Sequence, residues 1–337
     1  MEKILNKNYL LENKILIKKD AYSFLSEIDT IIFDIDGVLV DVSSSYHQTI
    51  IDTVQYYFYN FINMQGRENL VDKNTITAFK MIGGFNNDWE LAAAISLYYL
   101  WKMKEYHAKS MKELKEKHLS IDDFINENLS KGGGLAQLTT WVKDNSSNVD
   151  EVFALWNKKK IFQIAKEFYA GEKNCFQLYG FHPEIVLQTK GNIEKEIILI
   201  ESEISEILKN YPVGILTGRK RTETSLIMEK IGWRSWIDTG IVVTSEDYST
   251  KPSPDGLNSL LEKFQSRMGL YIGDTMDDLL TVKNLNYYHD KLHCLSALVL
   301  GDDFLRKKGK KEYYMENNVH LMAANVNQVV AFVQKVR

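Results

Sequence analysis

Two rhythms of apolar and polar positions divide the chain. Thr30-Ile31-Ile32-Phe33 is a short apolar run with no alternation, and it stops at Asp34-Ile35-Asp36-Gly37. A strand buried on both faces of a parallel sheet reads this way. Comparable runs follow much later. Val213-Gly214-Ile215-Leu216 ends in Thr217-Gly218, Ile241-Val242-Val243 comes next, and Gly269 to Ile272 ends in Gly273-Asp274. His293 to Leu300 and Val319 to Ala323 are the last two. Between them, Arg221 to Ile231, Asp255 to Phe264 and Asn325 to Val336 carry apolar residues at helical spacing. Strand–helix alternation of this kind predicts an α/β fold with a doubly wound parallel sheet.

From about Val42 to Lys190 the rhythm is helical throughout, over Ser45 to Asn63, Asp88 to Met111, Ser120 to Asn128 and Val149 to Phe168. Lys131 to Gly134 and Asp144 to Asn148 read as loops inside it. The expected organisation is an α/β core of residues 1–41 plus 191–337, with an all-helical domain of residues 42–190 inserted after the first core strand. Residues 1–20 form an extension without an assigned role.

Composition narrows the classes. With 337 residues, 45% of them apolar, the chain is long enough for two packed cores. A formal charge of −4, from 41 basic and 45 acidic residues, offers no cationic surplus for phosphate backbones, so no nucleic-acid partner is expected. Cys175 and Cys294 cannot build a disulfide framework and read as buried thiols of a reduced, cytoplasmic chain. The opening MEKILNKNYLLENKILIKKD scatters charges through its apolar positions, unlike a signal peptide. Leu91 to Trp101, the longest uncharged apolar stretch, is far short of the ~20 residues of a spanning helix, so no membrane association is expected.

The candidate chemistry sits at strand ends. Asp34 and Asp36 follow a parallel strand directly, at the carboxyl edge where such sheets bind ligands. Two carboxyl groups there can serve a hard cation, or divide nucleophilic and acid/base duties. An ordinary Asp-Gly turn is the bland alternative. Thr217-Gly218 offers a hydroxyl and main-chain N–H groups to an anion, or simply a helix cap. Lys251 supplies a cation just before Pro252. Gly273-Asp274-Thr275-Met276-Asp277-Asp278 adds further carboxylates, whose mutual repulsion a divalent cation relieves.

Taken in order, DIDGVLVD, ILTGR, KPSP and GDTMDD resemble the four motifs of the haloacid dehalogenase (HAD) superfamily, over about residues 28–335. The helical insertion resembles that superfamily's C1-type cap. Ile31 to Ile50, GGFNNDW at residues 83–89, Phe168 to Gly180 and Gly191 to Glu194 are similar to a group of uncharacterised subfamily IA hydrolases. The resemblance implies a HAD-like Rossmannoid core and a Mg²⁺-dependent phosphatase acting on a small phosphorylated metabolite, with a sugar phosphate as one analogy. Asp34 would be the nucleophile forming an aspartyl-phosphate, and Asp36 the general acid/base. Thr217 and Gly218 would bind the phosphoryl oxygens, and Lys251 would neutralise charge on them. Asp34, the Asp36 carbonyl and Asp274 would hold Mg²⁺, with Asp278 in support of that shell. Asp277 occupies a position where relatives often have Asn. Dehalogenating members lack the second Asp of the first motif, so Asp36 favours phosphoryl chemistry. A phosphomutase and a non-catalytic binding module are the alternatives.

Weaker readings concern specificity. Arg219 can reach a second anionic group of the substrate, or belong to a solvated helical turn. Asn86 and Asn87, with Asp88, can read a polar substrate, although Asn and Asp before a helical run are ordinary N-caps. Tyr46, Tyr56, Tyr57, Phe58, Tyr59 and Phe61 are too dense for one helix face and read mostly as cap core. The seven histidines give no zinc reading. Oligomeric state, substrate identity and the role of Met103 to Asn148 are not legible.

Overall fold

The computed structural model describes residues 7–66, 68–82, 84–85, 87–116, 124, 133–289, 293–306 and 309–337. The chain forms two compact units, one of Met1–Asp41 with Ile197–Arg337 and one of Val42–Glu196.

The first unit is built on an eight-stranded sheet. Its strands are β1 (Tyr9–Glu12), β2 (Ile15–Lys18), β3 (Thr30–Phe33), β6 (Val213–Leu216), β7 (Val242–Val243), β8 (Gly269–Gly273), β9 (Cys294–Val299) and β10 (Leu321–Ala323). The order across the sheet is β1-β2-β10-β9-β8-β3-β6-β7. From β10 to β7 every pairing is parallel. Helices Arg221–Ile231, Asp255–Phe264 and Met276–Tyr288 lie in crossovers between parallel strands, and Val326–Val336 follows the last strand. The doubly wound α/β class expected from the sequence is therefore what forms. Strands β3, β6, β8 and β9 are buried at every residue, which is why they read as unbroken apolar runs. Each fully buried aliphatic side chain there contributes roughly 1.5–3 kcal/mol.

The extension is part of this sheet. Asn13 and Lys14 take φ of 49° and 64° between paired Glu12 and Ile15. Two consecutive residues at positive φ make the tight hairpin turn whose twist matches its strands. Strand β2 then lies antiparallel on β10, pairing Ile17 with Leu321. A short ribbon, β4 (Val40–Asp41) with β5 (Ile197–Ile198), stands where the chain leaves this unit and returns to it.

The second unit is helical among its described residues. Its central helix, Asp88–Glu105, is buried all round from Leu91 to Lys102. Tyr98, Trp101, Phe124 and Trp141 pack there edge-to-face or tilted, with centroids 4.6–5.8 Å apart. The central helix stops at Glu105 rather than running to Met111, because the chain turns at His107 (φ 51°) before a new helix, Met111–Glu116. The run expected over Val149 to Phe168 is likewise two helices, Val149–Leu155 and Lys158–Tyr179. Asn157 divides them by accepting the Lys160 N–H at 3.0 Å, an N-cap bond. Of the expected helix at 120–128 only Phe124 is described. Of the aromatic set, Tyr46, Tyr57 and Phe58 are buried and Tyr59 is exposed. Both cysteines are free and buried.

Candidate active site

Register brings the strand-end residues together. Phe33 pairs with Ile215 on one side and Ile272 on the other, so β3, β6 and β8 end at one level. Strand β3 is also the point where the sheet order reverses, the usual crevice of such sheets. Asp34 follows β3, Thr217 follows β6, and Asp274 follows β8, while Lys251 arrives on the loop after β7.

Asp34 is buried, at 5% exposure. Its Oδ1 accepts the Ile35 N–H at 2.8 Å, and its Oδ2 lies 2.8 Å from Lys251 Nζ. Lys251 also donates to Asp278 Oδ1 at 2.6 Å and to the Tyr271 hydroxyl at 3.2 Å. Tyr271 donates to the same Asp278 oxygen at 2.8 Å. The second oxygen, Asp278 Oδ2, accepts the Asp274 N–H, the Thr275 N–H and the Thr275 hydroxyl at 3.1, 3.0 and 2.7 Å. Asp278 thus fastens the loop after β8 to Lys251 while opening the helix Met276–Tyr288, whose N-cap is Thr275.

Electrostatics follow from burial. Burial pushes the Asp34 carboxyl up to about 7; Asp278 and Asp36 add to the rise and Lys251 opposes it. Burial alone would pull Lys251 down, yet Asp278 and Asp34 hold it well above the ordinary lysine value. Asp278 is pushed up by burial too, but Lys251 and the Thr275 bonds outweigh that and leave it lowered.

Oxygens of Asp34, Asp274 and Asp278 lie within 4.8 Å of one another, the one such cluster among the described residues. Three carboxylates facing one ammonium leave an excess of negative charge that suits a divalent cation. Gly37, at φ 74°, passes so close to Asp274 that a Cβ there would lie 2.3 Å from Asp274 Oδ2. An all-oxygen donor set with a main-chain segment pressed against a carboxylate fits a hard ion such as Mg²⁺. With five donors already on its oxygens, Asp278 fits a supporting place better than direct ligation.

Thr217 is buried, and its hydroxyl accepts the Arg219 N–H at 3.2 Å; Gly218 beside it is exposed. Arg219 does not stand open in the crevice. Its side chain is 1% exposed, and Nε and Nη2 reach Asp36 Oδ1 at 2.7 and 2.6 Å. In the helical unit, Asn87 Oδ1 accepts the Trp89 and Glu90 N–H groups at 2.9 and 3.2 Å, so it caps its helix. Asn86 and Gly83 lie outside the described residues. Tyr271 is the residue that sequence reasoning missed. It sits inside an apolar run and reads as core, though a buried tyrosine hydroxyl requires a partner. His289 and His293 stand four residues apart, a spacing zinc sites use, with rings 5.0 Å apart, and His289 Nε2 lies 2.6 Å from Asn258 Oδ1.

These features define an α/β protein with a doubly wound parallel sheet and an acidic cluster at its strand ends. A family model described as haloacid dehalogenase-like hydrolase matches residues 28–286, and the chain belongs to that family. No curated protein matches. Among solved structures, the chain is similar to phosphatase Tt82 from Thermococcus thioreducens at 23% identity, covering 86% of this chain and 99% of that one, with a TM-score of 0.55. A structural-genomics target is similar at 16% identity, 92% and 99% coverage and a TM-score of 0.58. A HAD-superfamily subfamily IA hydrolase from Geobacter sulfurreducens is more distant, at 14% identity, 81% and 87% coverage and a TM-score of 0.37. Among the described residues no helix is long and apolar enough to cross a membrane.

Proposed function

We propose that the protein is a Mg²⁺-dependent phosphatase that hydrolyses a small phosphorylated metabolite through an aspartyl-phosphate on Asp34. The observation that carries this reading is the Asp34 carboxylate. It is buried, held by Lys251 at 2.8 Å, and clustered with Asp274 and Asp278. An oxygen so oriented is suited to attack phosphorus while its surroundings absorb the charge of the transferring group.

Asp34, Asp274 and the Asp36 main-chain oxygen would hold Mg²⁺, with Asp278 behind them; when bound, the ion supplies charge neutralisation at the phosphoryl oxygens. The chain's own residues do the rest. An Asp34 oxygen forms the bond to phosphorus as the bond to the leaving oxygen breaks. Asp36 gives that oxygen its proton. In the second half Asp36 takes a proton from water, whose oxygen attacks phosphorus and releases the Asp34 carboxylate. Lys251, the Thr217 hydroxyl and the Gly218 N–H balance the phosphoryl oxygens. Proton transfer by Asp36 is the feature that separates this chemistry from dehalogenation, and it is worth about 10²- to 10⁴-fold. The name of the similar Thermococcus phosphatase agrees with this reading.

The test is release of phosphate from p-nitrophenyl phosphate with and without Mg²⁺, followed by a phosphometabolite panel ranked by kcat/KM. Added sugar monophosphate separates the phosphomutase alternative. A mutase returns bisphosphate as its main product, whereas the proposed phosphatase yields free phosphate.

A further inference from the structure

We propose that Arg219 is a positioning residue for Asp36, fixing one carboxylate oxygen so that the other is presented for proton transfer; this rests on the phosphatase reading above. Asp36 lies three residues beyond its strand, and its side chain is 33% exposed. A short carboxylate in such a turn would otherwise move among staggered rotamers. Arg219 removes that freedom. Its side chain is 1% exposed, and two of its donors converge on a single oxygen, Nε at 2.7 Å and Nη2 at 2.6 Å from Oδ1. Charge-assisted bonds of this length are the strong ones.

The guanidinium is itself a fixed point, because the Arg219 main chain is tied on both sides. Its N–H reaches the Thr217 hydroxyl at 3.2 Å, and its carbonyl accepts the Ser245 N–H at 3.1 Å and the Ser245 hydroxyl at 3.2 Å. Thr217, expected to hold the phosphoryl group, and Asp36 are thereby placed from one short segment. An arginine acting as a substrate anchor would direct these donors at the ligand. Here they are spent on the acid/base. The arrangement has the logic of a base oriented by a third group.

The experiment compares wild type, Arg219→Ala, Arg219→Lys, Asp36→Asn and the Asp36→Asn/Arg219→Ala double variant on phenyl phosphate and p-nitrophenyl phosphate with Mg²⁺. Two esters of similar shape differ in how much their leaving oxygen needs a proton. The parameter is kcat/KM, which reads only the steps through leaving-group departure. Arg219→Ala is expected to lose about 100-fold on phenyl phosphate and under about tenfold on p-nitrophenyl phosphate. Inhibition by inorganic phosphate, a measure of binding alone, should stay within about threefold of wild type. The double variant should be no slower than Asp36→Asn, since one group acts through the other. Arg219→Lys keeps the charge and, should the alanine variant fail to fold, still carries the test with a loss of about tenfold on phenyl phosphate. Equal losses on both esters with weakened phosphate inhibition would make Arg219 a substrate anchor and overturn the proposal, as would additive losses in the double variant. A wild-type protein that releases no phosphate from either ester overturns the phosphatase reading and the inference with it.

Discussion

Strands β9 and β10 are joined by a histidine that cannot accept a second proton without breaking the join. The main-chain N–H of Ser296 donates to His320 Nδ1 at 3.0 Å, so that nitrogen carries a lone pair and no hydrogen. The Ser296 hydroxyl lies 2.9 Å from the same nitrogen and accepts the main-chain N–H of His320 at 3.2 Å. Burial, then the nearby Lys18 charge, lower this histidine from its ordinary 6.5 to about 4, with Asp20 opposing. Because the folded value lies below the unfolded one, the unfolded chain binds more protons between the two. The stability contribution is therefore intact above pH 6.5 and declines as pH falls through that window toward 4. For a drop from 6.5 to about 4, at about 1.4 kcal/mol per pH unit, the stability lost is about 3 kcal/mol in full, of which roughly 2 kcal/mol is gone by pH 5.

The perturbation is His320→Asn, which offers an amide oxygen near the Nδ1 position and does not titrate in this range. Urea unfolding of both proteins at pH 7 and pH 5 gives the difference. Asp34, whose raised value makes the folded state bind protons more tightly as pH falls, pushes stability the opposite way, but equally in both proteins. The variant should therefore lose about 2 kcal/mol less than wild type between the two pH values. Parallel losses would refute the reasoning and move the acid sensitivity elsewhere.

Asp34→Asn should abolish turnover, by about 10⁴-fold or more, while circular dichroism shows the fold retained. Activity should require Mg²⁺, vanish in excess chelator, and be inhibited by Ca²⁺, whose larger, more flexible shell misaligns the carboxylates; a metal titration of phosphate release checks this. Gly37→Ala should weaken Mg²⁺ activation strongly, since φ there is 74° and the added Cβ would meet Asp274 Oδ2 at 2.3 Å, and the readout is the Mg²⁺ concentration at half-maximal rate. Tyr271→Phe removes one of the five donors on Asp278 and one neighbour of Lys251, and should cost about 1.5–3 kcal/mol of stability by denaturant titration.

Much of this was written plainly in the residues. Buried parallel strands are apolar on both faces, so β3, β6 and β8 announce themselves, and polar residues at their ends stand out against them. Asp34, Thr217 and Asp274 were legible for that reason, and Lys251 through its Pro-rich turn. Tyr271 was not, because its ring belongs to the core and only its hydroxyl joins the site. The pairing of Arg219 with Asp36 joins residues 183 apart in sequence, and no local pattern encodes such a contact. The N-terminal hairpin was hidden by its size, two runs of four residues around Asn13-Lys14. Helix ends at Glu105 and Leu155 escaped because apolar spacing continues across both breaks, while capping and positive-φ residues set the actual stops.

A covalent phosphoryl group on Asp34 should be detectable by mass mapping after rapid acid quench. Asp36→Asn, mixed with p-nitrophenyl phosphate and Mg²⁺, should form the phospho-enzyme readily, since p-nitrophenolate leaves without a proton, and then hydrolyse it slowly. The peptide containing Asp34 should gain the mass of one phosphoryl group, lost again on treatment with hydroxylamine and absent when Asp34 is also replaced by Asn. Steady release of phosphate with that peptide unmodified at every quench time, or the phosphoryl group found on any other residue, would contradict it.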